Sequence, residues 1–319
     1  MKKVAIIVTG NTRNLYEEWT KHSYPILSNL SGCESTFFFQ LWDNDFIPDH
    51  LKSNQFVLEN IAFETEVLSP EDITLSNEIT MLSEQFIYNE IKELMSSDVS
   101  LQNSSYFQLF NKDGDELHDY AAYVDLCNYY CQPYAWGKTY ENILNYEIKN
   151  SVKFDYVIKV RYDCFFRNSF KTVISDFEKI NADLLHHSFS VWSNFKTPLD
   201  IRGGALPNGI DDQWMVIKKS KKTDVVLTNL FKRMFKTNHE CILLHGRRYP
   251  FEQCFYLSLI MLNSIVATKH YDFFTMRGKS GFESTHKNFI KYGIVPRYTV
   301  APPVIMNSAL LEKIKSIHI

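Results

Sequence analysis

Phe154-Asp155-Tyr156-Val157-Ile158-Lys159-Val160-Arg161-Tyr162-Asp163-Cys164-Phe165-Phe166 is the stretch on which the reading of the chain turns. β-Branched and aromatic residues dominate from Tyr156 to Val160, which predicts a buried strand. Side chains alternate along a strand, so Lys159, Arg161 and Asp163 share one face if the chain stays extended. Ligands of open α/β sheets sit outside the carboxyl ends of the strands. An arginine and a carboxylate placed there suit a phosphate and a divalent metal. The same residues also read as an Arg161–Asp163 ion pair that does no more than solvate a strand end.

Outward from that strand, 319 residues suffice for one large α/β domain or two fused halves with a sizeable core. A formal charge of −3 argues against a dedicated nucleic-acid binder, which carries a strongly basic patch. The 24 Phe and 18 Tyr suit a sugar- or nucleoside-lined cleft as well as an aromatic core. Cys33, Cys127, Cys131, Cys164, Cys241 and Cys254 form no CxxC pair, which predicts reduced thiols in an intracellular protein. The apolar run after Met1-Lys2-Lys3 stops at Thr9-Gly10-Asn11, unlike a signal peptide. Cys254 to Ala267, interrupted by Ser258, Asn263 and Ser264, is too short to span a bilayer and reads as a buried helix. The expectation is a soluble, cytoplasmic protein without a transmembrane segment.

On the amino-terminal side, Lys3 to Val8 predicts a buried first strand ending in the polar turn Thr9-Gly10-Asn11-Thr12-Arg13-Asn14. Gly10 lets backbone amides approach a phosphate and Arg13 supplies charge-assisted bonds, although an ordinary strand-to-helix turn has the same composition. Leu15 to Leu30 reads as one helix despite Pro25, with Leu15, Trp19, Tyr24 and Leu27 toward the core. Ser35 to Leu41 is the next strand, and Trp42-Asp43-Asn44-Asp45 reads as a turn more than as a metal site. Phe56 to Val67 is strand-like. Leu75 to Asn111 reads as a variable excursion with one helical piece near Glu84 to Met95, and the calcium-loop start at Asn111 fails at the later ligand positions. Tyr120 to Cys131 predicts a helix that Pro133 ends or kinks before a second one. Trp136, Tyr140, Ile143 and Leu144 form one face of that second helix, and Gln132, Trp136 and Lys138 are candidate nucleotide contacts.

On the carboxyl-terminal side, Val173 to Lys179 reads as helix and Ala182 to Phe189 as a strand segment bearing His186-His187. Arg202 to Gly209 reads as a flexible loop of the kind that closes over a substrate. It leads to Asp211-Asp212-Gln213 and the short strand Trp214 to Ile217. Either aspartate suits a general base on an acceptor hydroxyl, and an Asx-type turn accounts for the same pattern. Ser220 opens an amphipathic helix to about Phe235. Pro250 and Glu252 occupy the first turn of the apolar helix, so Glu252 is a helix-start residue or a second base candidate. Ser264 to Thr268 reads as the last strand. The whole predicts an α/β fold with a mostly parallel central sheet covered by helices.

Four segments together resemble nucleotide-sugar glycosyltransferases of the GT-A type found with bacterial and viral polysaccharide genes: Val4 to Arg13, the helix around Gln132 to Asn142, Phe154 to Phe166, and Asp211 to Ile217 with Pro250-Phe251-Glu252. The resemblance implies a single Rossmann-like GT-A domain over 1–319, with a nucleotide-binding half at 1–166 and an acceptor-binding half at 167–319. It implies that Thr9, Gly10, Asn11 and Arg13 hold the nucleotide. Asp163 stands at the last position of a DxD-like element, binding a divalent metal, Mn²⁺ or Mg²⁺, that bridges the diphosphate. His270 completes the metal shell. Arg161 occupies the first acidic position, so the full metal motif is absent and metal dependence stays open; guanidinium itself matches phosphate geometry. Asp212 or Asp211, with Glu252 as competitor, is the acceptor-side carboxylate.

The function expected is transfer of a sugar from a nucleotide-sugar donor to a glycan or lipid-linked glycan acceptor, in the cytoplasm or at the membrane periphery. A catalytically inactive nucleotide-sugar- or glycan-binding protein keeps the fold without the chemistry. A sugar-phosphate nucleotidyltransferase shares the sheet, but it needs a glycine-rich, lysine-bearing signature that Thr9 to Arg13 matches poorly.

Overall fold

A computed structural model describes residues 1–10, 16–43, 78–97, 120–186, 199–201, 204–206, 213–245, 255, 266–268, 271, 273–275, 283 and 286–287. Its strands are β1 (Lys2–Thr9), β2 (Cys33–Asp43), β3 (Glu78–Ser83), β4 (Tyr156–Arg161), β5 (Cys164–Phe166), β6 (Leu184–His186), β7 (Leu199–Ile201), β8 (Gly204–Leu206), β9 (Trp214–Lys218), β10 (Val266–Thr268) and β11 (Phe273–Thr275). The helices are α1 (Tyr16–His22), α2 (Tyr24–Leu27), α3 (Glu84–Ser97), α4 (Tyr120–Asn150), α5 (Val173–Glu178), α6 (Lys221–Thr228) and α7 (Leu230–His245).

Among the described residues, seven strands form one sheet in the order β10-β6-β9-β4-β1-β2-β3. β1 runs parallel to both β2 and β4, β2 to β3, and β6 to β10. β9 runs antiparallel between β4 and β6. The fold is therefore α/β with a mostly parallel sheet, and one edge collects the carboxyl ends of β2, β1, β4, β6 and β10 together with the amino end of β9.

Helices cover both faces, which is why β1 and β4 read as continuous apolar runs. Val4, Ile6, Val8, Ile158 and Val160 pack with Trp19, Leu27, Phe37, Phe39 and Phe177, on the side of α1, α2 and α5. Ala5, Ile7, Phe38 and Val157 pack with Trp136, Tyr140, Ile143, Leu230 and Met234, on the side of α4 and α7. Burying each of these large side chains contributes about 1.5–3 kcal/mol.

Several boundaries differ from the sequence reading. Leu15 to Leu30 is not one helix: α1 ends at His22, and Pro25, which lacks an amide hydrogen, stands in the first turn of α2. Ser23 at the break donates its hydroxyl to the Cys164 carbonyl at 2.8 Å. Pro133 has the opposite outcome. It neither ends α4 nor starts a new helix, because α4 runs through it for 31 residues. Burial of Tyr130, Tyr134, Trp136, Tyr140 and Ile143 along that helix outweighs the hydrogen bond Pro133 cannot donate.

Glu78–Ser83, read as part of a polar excursion, is β3, whose pairing with Phe38–Asp43 overrides its composition. Β2 likewise continues through Asp43, where a turn was expected; Asp45 lies outside the described residues. Gly204–Leu206, expected to be loop, pairs with Leu199–Ile201 in a two-stranded hairpin. The helix expected from Ser220 to about Phe235 breaks at Asn229, and α7 then continues to His245. Val266 and Ala267 belong to β10 and not to a buried helix, and β11 follows what was read as the last strand, pairing antiparallel with β5. The Phe56 to Val67 strand, most of the Cys254 to Ala267 stretch and the carboxyl-terminal tail lie outside the described residues.

Candidate functional site

The sheet edge that gathers the carboxyl ends also gathers polar side chains. β1 ends at Thr9, whose Cα partner on β4 is Arg161. Gly10 follows with φ +99°, a conformation glycine adopts without the Cβ penalty other residues meet. Its N–H donates to Gln40 Oε1 at 3.3 Å. A Cβ on Gly10 would lie 4.0 Å from Arg161 Cγ, so this turn passes close over the arginine stem.

Arg161 ends β4, and Tyr162-Asp163 turn the chain before β5 begins. The extended alternation expected through Asp163 therefore stops at Arg161. Tyr162 goes to the opposite face, where its hydroxyl donates to the Gln40 carbonyl at 3.2 Å. The turn carries Asp163 back to Arg161. Arg161 Nε donates to Asp163 Oδ1 at 2.9 Å and Nη2 donates to Oδ2 at 2.7 Å, a two-pronged pairing that matches a planar guanidinium to a carboxylate. The side chain of Asp163 is 2% exposed and that of Arg161 is 21% exposed, so the cation forms the solvent-facing side of the pair.

One row back from the edge, on the α4 face, Phe38, Ile7, Lys159, Met215 and His186 lie side by side across β2, β1, β4, β9 and β6. Lys159 interrupts this mostly apolar row while only 2% exposed, and its ammonium sits 5.1 Å from the centroid of the Trp136 ring. The edge row above it holds Gln40, Thr9 and Arg161.

Trp136, a candidate nucleotide contact, is buried at 3% exposure between Lys159 and Phe255, whose ring centroid is 5.1 Å away. Lys138 lies over Tyr134 and pairs with Glu141 at 3.5 Å, on a different side of α4 from Trp136. Gln132 is partly buried on the same helix. The structure thus brings Thr9, Gly10, Arg161 and Asp163 together and adds Gln40 and Lys159. Lys159 was legible as a face-mate of Arg161. Gln40 had no signal beyond being a polar residue inside the apolar run Phe37 to Leu41. Asn11, Arg13, Asp211, Asp212, Glu252 and His270 lie outside the described residues. Trp214 opposite Val160 nevertheless brings the chain into β9 at this same edge, directly after Asp211-Asp212-Gln213.

A divalent metal needs oxygen or nitrogen acceptors facing it. The described residues offer a poor set. Both oxygens of Asp163 accept from Arg161, and Gln40 Oε1 accepts from Gly10. Among the described residues no group of three or more His, Cys, Asp or Glu is placed to hold a metal ion. No described helix is long and apolar enough to cross a membrane.

At the opposite edge of the sheet, a cleft of about 220 Å³ is lined by Lys2, Tyr156, Phe177, Glu178 and Lys218. Its carboxylate is engaged: Glu178 pairs with Lys2 at 3.1 Å and accepts from the Tyr156 hydroxyl at 3.2 Å.

The chain matches no known protein family and no curated protein sequence. Among solved structures it is similar to mouse xyloside xylosyltransferase 1, at 7% identity and TM-score 0.36 over 84% of each chain. It is similar to the galactosyltransferase LgtC in complex with donor and acceptor sugar analogues, at 9% identity and TM-score 0.37 over 84% of this chain and 73% of that one. A third is the glycosyltransferase GlyE of Streptococcus pneumoniae TIGR4, at 8% identity and TM-score 0.30 over 92% of this chain and 51% of that one. Superpositions this loose assign no role to any residue of this chain.

Proposed function

We propose that this chain transfers a sugar from a nucleotide-sugar donor to a hydroxyl of a glycan or glycoconjugate acceptor, lipid-linked acceptors included. The observation that carries the reading is the Arg161–Asp163 pair beside the positive-φ Gly10, at the edge where the carboxyl ends of β1 and β4 meet. Arg161 presents a guanidinium fixed by Asp163 to solvent, and a fixed guanidinium suits a diphosphate. In this reading the donor binds over 1–166, with Thr9, Gly10, Asn11 and Arg13 along the nucleotide, and the acceptor binds over 167–319.

The chemistry breaks the bond between the anomeric carbon and the diphosphate oxygen and forms one to the acceptor oxygen. The acceptor proton passes to a carboxylate, for which Asp212 or Asp211 is the first candidate and Glu252 the second. A positioned base contributes about 10²- to 10⁴-fold. Arg161 stabilises charge as it grows on the leaving diphosphate.

The test is a panel of UDP-, GDP-, CMP- and dTDP-linked sugars, read by thermal shift and by nucleotide release. A ligand at about a hundred times its dissociation constant stabilises the fold by roughly 2.7 kcal/mol. One nucleotide class should stand out, with release accelerated by a glycan acceptor, and Asp163→Ala and Asp212→Ala should each abolish turnover. Full activity in both variants rejects these roles. Engagement of both Asp163 oxygens by Arg161 favours a second reading, a nucleotide-sugar-binding protein without transfer. It predicts the thermal shift with no nucleotide release.

A further inference from the structure

The two rows of polar groups on the α4 face are rich in donors, and their acceptors are engaged. Lys159 and Arg161 bring two cations to one strand, two residues and about 6.6 Å apart on the same face. Asp163 gives both oxygens to Arg161. Gln40 is fully buried, and its amide orientation is fixed because a backbone N–H requires the oxygen: Oε1 accepts from Gly10. That turns Nε2 into a buried donor with no hydrogen-bond partner. A buried amide donor left unmatched costs about 1–3 kcal/mol, so its retention beside a positive-φ glycine marks a place where an acceptor arrives with a ligand. Such a set fits an anion directly and fits a metal ion badly.

We infer that the donor's diphosphate is held without a divalent metal, by Arg161 at the mouth, the buried Lys159 behind it and the Nε2 donor of Gln40. This rests on the donor reading above. Arg161 is the group that touches the ligand from the solvent side. Lys159 is a positioning residue: its ammonium, fixed on the face of Trp136, raises the positive potential at the strand end where little water screens it. The two side chains together supply the charge that a metal ion would otherwise supply.

The experiment is calorimetric titration of the full chain with UDP, GDP and CDP, in a chelator and again with Mn²⁺, over a series of salt concentrations. Lys159→Met keeps a long apolar stem against Trp136 and removes the charge. Lys159→Arg restores it. Gln40→Glu keeps the acceptor for Gly10 and removes the donor.

The expected result is one nucleoside diphosphate binding the wild type equally in chelator and Mn²⁺. Lys159→Met should weaken it about tenfold with a shallower salt dependence, Lys159→Arg should recover most of the loss, and Gln40→Glu should weaken it about tenfold. A purely structural Lys159 would leave the salt slope unchanged. Binding that disappears in chelator overturns the inference and leaves the donor reading standing. Wild-type affinity in both Lys159→Met and Gln40→Glu overturns it as well. If Lys159→Met fails to fold, Gln40→Glu decides by the same criterion. No binding of any diphosphate to the wild type, with or without metal, overturns the donor reading and this inference with it.

Discussion

Asp163 is held by Arg161 through two parallel bonds, 2.9 Å from Nε to Oδ1 and 2.7 Å from Nη2 to Oδ2, with the carboxylate beneath and the guanidinium toward solvent. The pair joins a strand end to the turn that follows it, so one residue's charge fixes the other's orientation. Removing one partner of a buried pair costs about 3–5 kcal/mol. Arg161 keeps a route to water, so Asp163→Ala should lose about 3 kcal/mol, at the low end of that range. Arg161→Lys, with a single ammonium in place of the fork, should also destabilise and should weaken diphosphate binding. Urea midpoints for both variants measure this; an unchanged midpoint for Asp163→Ala would show that the pair contributes nothing to the fold.

Gly10 at φ +99° should tolerate no side chain cheaply. Gly10→Ala is expected to cost about 1–2 kcal/mol from backbone strain alone, since the nearest side-chain atom, Arg161 Cγ, is 4.0 Å from where the Cβ would sit. Thermal unfolding measures the cost. A melting temperature equal to that of the wild type would mean that the turn relaxes to negative φ.

Ser220 caps α6 in a reciprocal arrangement. Its hydroxyl accepts from the Thr223 N–H at 3.3 Å, and its own N–H donates to Thr223 Oγ1 at 2.9 Å. Ser220→Ala should cost about 1 kcal/mol and Ser220→Asp nearly nothing, because a carboxylate can serve as the same acceptor. Chemical denaturation of the two variants distinguishes the cap from any general effect of substitution.

Four buried tyrosines predict an alkaline limit. Burial, with nearby Glu90, pushes the Tyr134 hydroxyl up to about 12, and burial beside Glu178 pushes that of Tyr156 up to about 12. Tyr140, buried and donating to Asp224, and Tyr271, buried and donating to Asp176, are raised further. The folded state holds these protons more tightly than the unfolded chain. Their stability contribution is therefore fully present below the ordinary tyrosine value of 10.0 and is lost as pH rises through about 12. Phenolate absorbance should appear together with unfolding in a single cooperative step. Early, non-cooperative ionisation of these four would contradict their burial.

Gly137 lies where α4 crosses the end of α6. A Cβ there would meet the Leu227 carbonyl oxygen at 3.4 Å and the Thr228 carbonyl oxygen at 3.9 Å. Alanine fits that gap as ordinary contact and gains helix propensity, so Gly137→Ala should stabilise by up to about 1 kcal/mol. Gly137→Leu should destabilise by pushing α6 off α4. A destabilised Gly137→Ala would mean that the two helices cannot separate by even a few tenths of an ångström.

Long, strongly patterned elements were legible in the sequence. Val4 to Val8 and Tyr156 to Val160 read as buried strands because both of their faces are covered, and the Trp136, Tyr140, Ile143 face of α4 read correctly from its helical spacing. Glu78–Ser83 and Phe273–Thr275 were not legible, because what makes them strands is a partner far away in sequence: β2 for the first and β5 for the second. Pro25 and Pro133 show the same limit. The two residues carry the same local signal, yet one marks a break and the other lies inside a 31-residue helix.

The sequence by itself determined that this is an α/β chain whose central strand delivers Lys159, Arg161 and then Asp163 to a carboxyl edge. Strand periodicity and the apolar run are local properties, set by residues a few positions apart. Only the tertiary structure decided what those charges do there. The turn at Tyr162 brings Asp163 back onto Arg161, Trp136 arrives from α4 beneath Lys159, and Gln40 is carried beside Gly10 by the parallel pairing of β1 and β2. Each of these contacts joins segments that adjacency in sequence does not relate. Whether a charge is neutralised, buried or offered to a ligand depends on the groups that packing sets around it.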